Sequence, residues 1–251
     1  MRASCDAPRM ITTDGHLLGG RVRYSQPATG FRSGIEPVLL AASVPARPGD
    51  RVLEAGTGAG AALLCLAARI AGVIATGVEI DPAMAALAAS NVRANGFGGI
   101  DIIVNRIEDA RFSHPFDHAI ANPPYHPADG SASPIAGRDT AKRGSTALML
   151  TWIECLSGVL RDRGSLTLIV PAGMIPACLA AMTTCRCPCI DLFPLWPKPC
   201  RPAKLTLLRG VKAARGPMRL MPGLILHQPD GAFTAAAQSI LGGGGALPLD
   251  E

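Results

Sequence analysis

The chain has 251 residues, 48% of them hydrophobic and 17% charged, which supports one sizeable core and excludes a disordered chain. The net charge of +5 permits a polyanionic partner without demanding one. No apolar run reaches about 18 residues without a charge, so no membrane span is expected, and residues 1–11 carry no apolar signal core.

Residues 1–30 read as an N-terminal extension, frayed or hairpin-like at first, with Asp14-Gly15 as a turn signal. Val38–Val44 reads as a short helix, followed by a Pro48-Gly49-Asp50 turn. Arg51–Ala55 is a strand that runs directly into Gly56-Thr57-Gly58-Ala59-Gly60, and Ala61–Ala71 is a strong helix former. Val73–Glu79 is a second buried strand. Asp81 then offers a cap and Pro82 a first helical position for a helix running to about Asn95. Ile100–Asn105 and Asp117–Ala121 are the third and fourth strands.

Pro127–Ser145 is polar and lacks periodicity, so it reads as a loop; Thr146–Leu160 is an amphipathic helix. Ser165–Val170, Ile190–Leu195 and Lys204–Arg209 read as further strands, and Ile175–Thr184 as a helix. Pro197, Pro199 and Pro202 stiffen the link between the last two strands. Leu224–His227 reads as a strand, Thr234–Leu241 as a helix, and 242–251 as a disordered tail. Residues 31–241 thus form one α/β domain, a mostly parallel sheet with helices on both faces. Cys65, Cys155 and Cys178 lie inside apolar runs, which suits a reduced, cytoplasmic protein. Cys185, Cys187 and Cys189 lack the two-residue gaps and second cluster of a metal site, so no metal is expected.

Two stretches carry chemistry. After the first strand, Gly56 and Gly58 let the backbone turn sharply and a ligand lie against it, and Glu79 follows at a spacing that suits a ribose diol. By itself this also fits a dinucleotide fingerprint, Gly56-x-Gly58-x-x-Ala61. After the fourth strand, Asn122-Pro123-Pro124-Tyr125 is a stiff turn, because neither proline donates an N–H and each fixes its own φ. The Asn122 amide oxygen and the Pro123 carbonyl can both accept from one –NH2 group, and Tyr125 can stack on the ring that carries it. Glu54, two residues before the first glycine, would repel a pyrophosphate and suits a cationic ligand. Glu54, Glu79, Asp109 and Asn122 should line one crevice at the carboxyl ends of successive strands.

Val52-Leu53-Glu54-Ala55-Gly56-Thr57-Gly58-Ala59-Gly60 resembles the first motif of Rossmann-like class I S-adenosylmethionine methyltransferases, and Asn122-Pro123-Pro124-Tyr125 resembles their amino-methylating signature. The lead-in from Gln26-Pro27 through Gly30-Phe31-Arg32 to Glu36 and Val38-Leu39-Leu40-Ala41 is similar to the tRNA1(Val) adenine-N6 methyltransferases, with Glu36 where that family usually has Asp. The resemblance covers residues 14–240. It implies a seven-stranded, mostly parallel sheet, S-adenosyl-L-methionine as cofactor, and tRNA as partner. It implies that Glu54, Ala55, Gly56 and Gly58 hold the methionine part, and that Glu79 with Ile80 holds the ribose and adenine. Asp109 and Ala110 would contact the adenine amine, with Glu108 competing for that role. Arg32 would close over the cofactor, or else form a surface salt bridge. Asn122, Pro123 and Tyr125 would be catalytic, with Asn122 also touching the cofactor. Arg138, Lys142, Arg143, Lys198, Arg201 and Lys204 are candidate phosphate contacts. The same clamp also serves glutamine in release factors, guanine-N2 in ribosomal RNA and adenine in DNA, and a catalytically silent RNA-binding subunit is a further alternative.

Overall fold

The computed structural model describes residues 10–30, 32–123 and 136–249, with 136–145 as backbone. Its main sheet is built from β3 (Arg51–Ala55), β4 (Ile74–Glu79), β5 (Ile100–Val104), β6 (Phe116–Ala121), β7 (Leu160–Pro171), β8 (Cys189–Trp196) and β9 (Leu205–Val211). Two two-residue strands, β10 (Arg219–Leu220) and β11 (Leu224–Ile225), both pair with β8 and widen the expected seven strands to nine. The order is β10-β8-β9-β7-β6-β3-β4-β5. Strands β5, β4, β3, β6 and β7 are parallel, and β9 runs antiparallel between β7 and β8. From β3 the chain winds outward through β4 to β5, then returns to the other side of β3 with β6. That reversal opens a crevice at the carboxyl ends of β3 and β6.

The central strands β3, β6 and β7 are buried on both faces, and alternate residues feed two cores. On one face Val52 and Ile169 pack with α1 (Glu36–Ala42), α2 (Ala61–Arg69), α3 (Pro82–Ala94) and α6 (Ala235–Leu241). On the other, Leu53, Ala55 and Leu168 pack with α4 (Ala136–Gly158) and α5 (Ile175–Thr184) through Ile153, Leu156 and Met182. Asp81 caps α3, accepting from the Ala83 N–H at 2.8 Å, with Pro82 in the first helical position.

Three expectations need correction. Asp14-Gly15 lies inside β1 (Thr12–Leu17), not at a turn. The reversal into β2 (Val22–Pro27) falls at Leu18–Gly20, where φ values of 51, 63 and 99° accommodate it. The hairpin is docked onto α3 by two asparagines one helical turn apart. Asn91 exchanges hydrogen bonds with the Ser25 backbone at 2.8 and 3.0 Å, and Asn95 does so with Arg23 at 2.7 and 2.8 Å. Second, residues 136–145, expected as loop, form the start of α4, so Arg138, Lys142 and Arg143 lie on a helix. The polar composition hid it, because its first turns show no apolar stripe.

Third, the tail folds back. Leu247 and Leu249 are buried, and the Leu249 carbonyl accepts from Arg209 at 2.7 Å and from Arg219 at 2.9 Å. Both guanidiniums also pair with the fully buried Asp191 at 2.7 Å. Gly-rich sequence at 242–245 masked two leucines with an apolar cleft to fill. Asp191→Ala would leave two cations facing each other without their shared carboxylate. It is expected to destabilise the fold by about 3–5 kcal/mol, checked by denaturant unfolding.

Candidate functional site

Sheet register brings the site together. Ala55 is level with Val78 on one side and Ala121 on the other. Gly56, Glu79 and Asn122 therefore leave three adjacent parallel strands at the same height, with about 4.8 Å between neighbouring strands. Ala55 itself is fully buried.

The turn after β3 is fixed by backbone bonds. Gly56 and Thr57 N–H groups both donate to the Val78 carbonyl, at 2.8 and 3.2 Å, and Gly60 N–H donates to Thr57 O at 2.9 Å. Gly56 has φ +65°, and a Cβ there would stand 2.5 Å from the Trp152 ring of α4. Gly56→Ala is expected to destabilise the protein by about 2 kcal/mol or more, from the left-handed backbone and the ring overlap together, measured as a fall in melting temperature. Gly58 (φ +57°) differs: the nearest atom to a Cβ would be Met84 Cε at 3.7 Å, an ordinary van der Waals contact, so the positive φ and not crowding calls for glycine there.

Glu54 is 4% exposed. Its carboxylate accepts from the Thr57 hydroxyl at 2.5 Å and from the Leu63 backbone in the first turn of α2. Burial, reinforced by the nearby Glu79 charge, pushes its carboxyl up to about 8 despite those bonds. Among the described residues no Lys, Arg or His forms an ion pair with it. Glu79 accepts from Gly58 N–H at 2.8 Å through one oxygen and from Asp81 N–H at 3.0 Å through the other. Each oxygen retains a lone pair for a further donor. Ile80, next along, is 59% exposed.

The remaining candidates fall into two groups. At the tip of β5, Arg106 holds Glu108 at 3.1 Å and Asp109 at 4.0 Å, Glu108 being the less exposed, while Ala110 packs into the core. Arg32 does not reach over the crevice. Its guanidinium donates to Thr13, Pro27 and Ala28 at 3.2–3.5 Å, so it ties the hairpin ends instead. A short reach to three oxygen acceptors outcompetes an arch across an open crevice. Asn122 is half-buried at the end of β6 and Pro123 is buried. Phe31, Pro124 and Tyr125 lie outside the described residues.

Thr57, Trp152 and Asn91 shape the site without having been singled out. Asn91 Nδ2 donates to the Ala59 carbonyl at 3.0 Å, tethering the glycine turn to the hairpin. Its sequence signal was an Asn pair at i and i+4 on one helix face.

These residues fit S-adenosylmethionine. Glu54 is a buried acid with no cation paired to it among the described residues, suited to an ammonium group. Gly58 has no side chain to hold a ligand off the turn, Glu79 retains capacity for a diol, and Ile80 offers an exposed apolar face. A dinucleotide fits less well, since Glu54 offers its pyrophosphate an acid and no cation.

Comparison with known proteins agrees with this geometry. A family model described as a methyltransferase domain matches residues 52–133, from β3 to beyond Asn122. A solved structure from Agrobacterium tumefaciens, titled a predicted O-methyltransferase, superposes with a TM-score of 0.70 at 24% identity, over 84% of this chain and 97% of that one. TrmN from Thermus thermophilus gives 0.50 at 20% identity, over 70% and 47%. The fold is that of the class I methyltransferases. Two relatives named tRNA1(Val) (adenine(37)-N6)-methyltransferase are each 32% identical. The one from Yersinia pseudotuberculosis matches over 164 residues, 62% of this chain and 65% of its own length. The one from Bacteroides fragilis matches over 146 residues, 56% and 60%. The match therefore spans less than two thirds of either relative. Within the class I fold, the Glu54–Gly58–Glu79 side of the crevice and the Asn122 side meet at β3 and β6.

Proposed function

We infer that this chain is a cytoplasmic S-adenosylmethionine-dependent N-methyltransferase acting on the exocyclic N6 amine of an adenosine in tRNA. The observation that carries the reading is the placement of Asn122-Pro123 one strand away from the Gly56–Gly60 turn, at the same height along the sheet. The names of the 32%-identical relatives support the choice of tRNA adenosine.

S-adenosylmethionine, when bound, supplies an electrophilic methyl group on a sulfonium centre. Glu54 balances the positive charge at the amino-acid end, the glycine turn packs against it, and Glu79 orients the ribose. The adenosine amine is a poor nucleophile because its lone pair is delocalised into the ring. The Asn122 amide oxygen and the Pro123 carbonyl accept hydrogen bonds from its two hydrogens, which draws the nitrogen towards tetrahedral geometry and frees the lone pair. As the nitrogen–methyl bond forms the methyl–sulfur bond breaks, and the surplus proton on the nitrogen is released to water. Pro123 is buried and Asn122 half-buried at the end of β6; acceptors held there need little reorganisation on the way to the transition state. A stacked adenosine must swing out to reach them.

The test is transfer of labelled methyl from S-adenosylmethionine onto separate pools of tRNA, ribosomal RNA, DNA and release factor. Label recovered as N6-methyladenosine in tRNA supports the reading. Label in glutamine, in guanine-N2 or in DNA only would replace it with one of the other amine substrates, and cofactor binding without transfer to any pool would leave a silent RNA-binding subunit.

A further inference from the structure

The carboxyl edge of the sheet continues well past Asn122. Beyond β6 lies β7, and just after it the Ala172 N–H donates to the Lys204 carbonyl at 2.9 Å, so β9 begins at this same edge. Strand β8 ends there too. The N–H groups of Leu226 and His227 extend the β11 pairing to the carbonyls of Trp196 and Pro197, at 2.8 and 3.1 Å. Asn122, Lys204, Lys198 and His227 therefore form a row along one edge. It spans the four strand steps from β6 to β11, about 19 Å at 4.8 Å each.

The middle of this row is basic. The 197–204 connection contains Lys198, Arg201 and Lys204 and no acid. Arg201 and Lys204 are exposed, and their side chains make no hydrogen bond or ion pair among the described residues. Lys198 donates to the Pro229 carbonyl at 3.0 Å and so braces the facing turn. Across that turn His227 and Phe233 form a β-bridge and stack at 4.6 Å with 23° between their planes. Gln228 N–H to Ala232 O at 2.8 Å closes the turn beneath them. Asp230, its one acid, is engaged by the Ala232 N–H at 2.9 Å. Phe233 is 36% exposed, in a chain with only 4% aromatics. A rigid exposed ring on the same sheet edge as two unpaired cations is the combination that single-stranded nucleic acid recognises, by stacking and by phosphate contact.

Resting on the methyl-transfer reading above, we propose that this edge guides the RNA: Phe233, backed by His227, stacks a base flanking the target adenosine, and Arg201 and Lys204 hold the phosphates between that base and Asn122. The polyanion is favoured over a protein partner because the row carries free positive charge and a flat aromatic ring.

The proposal is tested by fluorescence anisotropy of the full chain with a labelled RNA hairpin whose loop contains adenosine, across a salt series. Three variants are compared: Arg201→Glu/Lys204→Glu, Phe233→Ala and Phe233→Leu, the last retaining packing bulk. The double variant should bind about tenfold or more weakly, with the slope of log Kd against log salt reduced by about 1.4 for two lost phosphate contacts. Both Phe233 variants should weaken binding by about 5-fold or more. S-adenosylhomocysteine affinity and melting temperature should stay at wild-type values in all three. RNA affinity and salt slope unchanged in the variants, or no RNA binding by the wild type, would overturn the surface whatever the methyl-transfer assay gives. Weakened RNA binding with no methyl transfer to RNA would keep the surface and remove the catalytic reading.

Discussion

Replacing Asn122 by Ala should lower the rate of methyl transfer by about 10²–10³-fold, the loss typical of removing one preorganised polar group from a reacting centre. Affinity for S-adenosylhomocysteine should stay close to wild type, because Glu54, the glycine turn and Glu79 sit on the other strands of the crevice. Such a split identifies an interaction made in the transition state and not in the ground state. Asn122→Asp keeps an acceptor oxygen at the same place and should retain more activity than the Ala variant. Single-turnover kinetics with saturating RNA would measure both. Equal turnover in wild type and Asn122→Ala would remove Asn122 from the chemistry.

Glu54→Gln should have opposite effects on the free and the liganded protein. In the free protein burial raises the Glu54 carboxyl from an ordinary 4.5 to about 8. Between those values the folded chain holds a proton that the unfolded chain has released, so this group makes stability fall as pH rises from 4.5 to 8. The Gln side chain carries no such penalty. The free variant should melt higher than wild type at pH 8, by about 3 °C for each 1 kcal/mol relieved in a chain of this size. Ligand binding moves the other way. A ligand ammonium favours ionised Glu54, so below pH 8 binding must expel a proton. Wild-type affinity for S-adenosylhomocysteine should rise between pH 6 and pH 8, by up to about tenfold per unit. The Gln variant should bind more weakly at pH 8 and show a flatter profile. Calorimetry at pH 6, 7 and 8 decides the matter; equal affinity and an equal pH slope in both proteins would exclude Glu54 as the carboxylate facing a cation.

The parts of this molecule that local chemistry dictates were legible in the residues. Asp81-Pro82 announces a helix start, because one side chain caps and one ring presets φ. The Gly56–Gly60 turn announces itself because glycine is needed where φ is positive and, at Gly56, where Trp152 leaves no room for a Cβ. Glu54, Glu79 and Asn122 could be placed together because strand ends in a parallel sheet share one edge. Long-range packing was not legible. Asp14-Gly15 looked like a turn until the Leu18–Gly20 reversal fixed the register of β1 against β2. The Gly-rich tail hid Leu247 and Leu249, whose anchor, the Asp191–Arg209–Arg219 cluster, is assembled from β8, β9 and β10. Arg32 could have closed over the crevice by sequence, yet the backbone oxygens at Pro27 and Ala28 stand closer.

The most direct measurement is a crystal structure of the protein with S-adenosylhomocysteine and an adenosine-bearing RNA hairpin. The account predicts the ligand amino group beside Glu54, its ribose hydroxyls on Glu79, and the adenosine amine within hydrogen-bonding distance of both Asn122 Oδ1 and the Pro123 carbonyl. An Asn122 side chain turned into packed protein, with the ligand bound away from the Gly56–Gly60 turn, would contradict it.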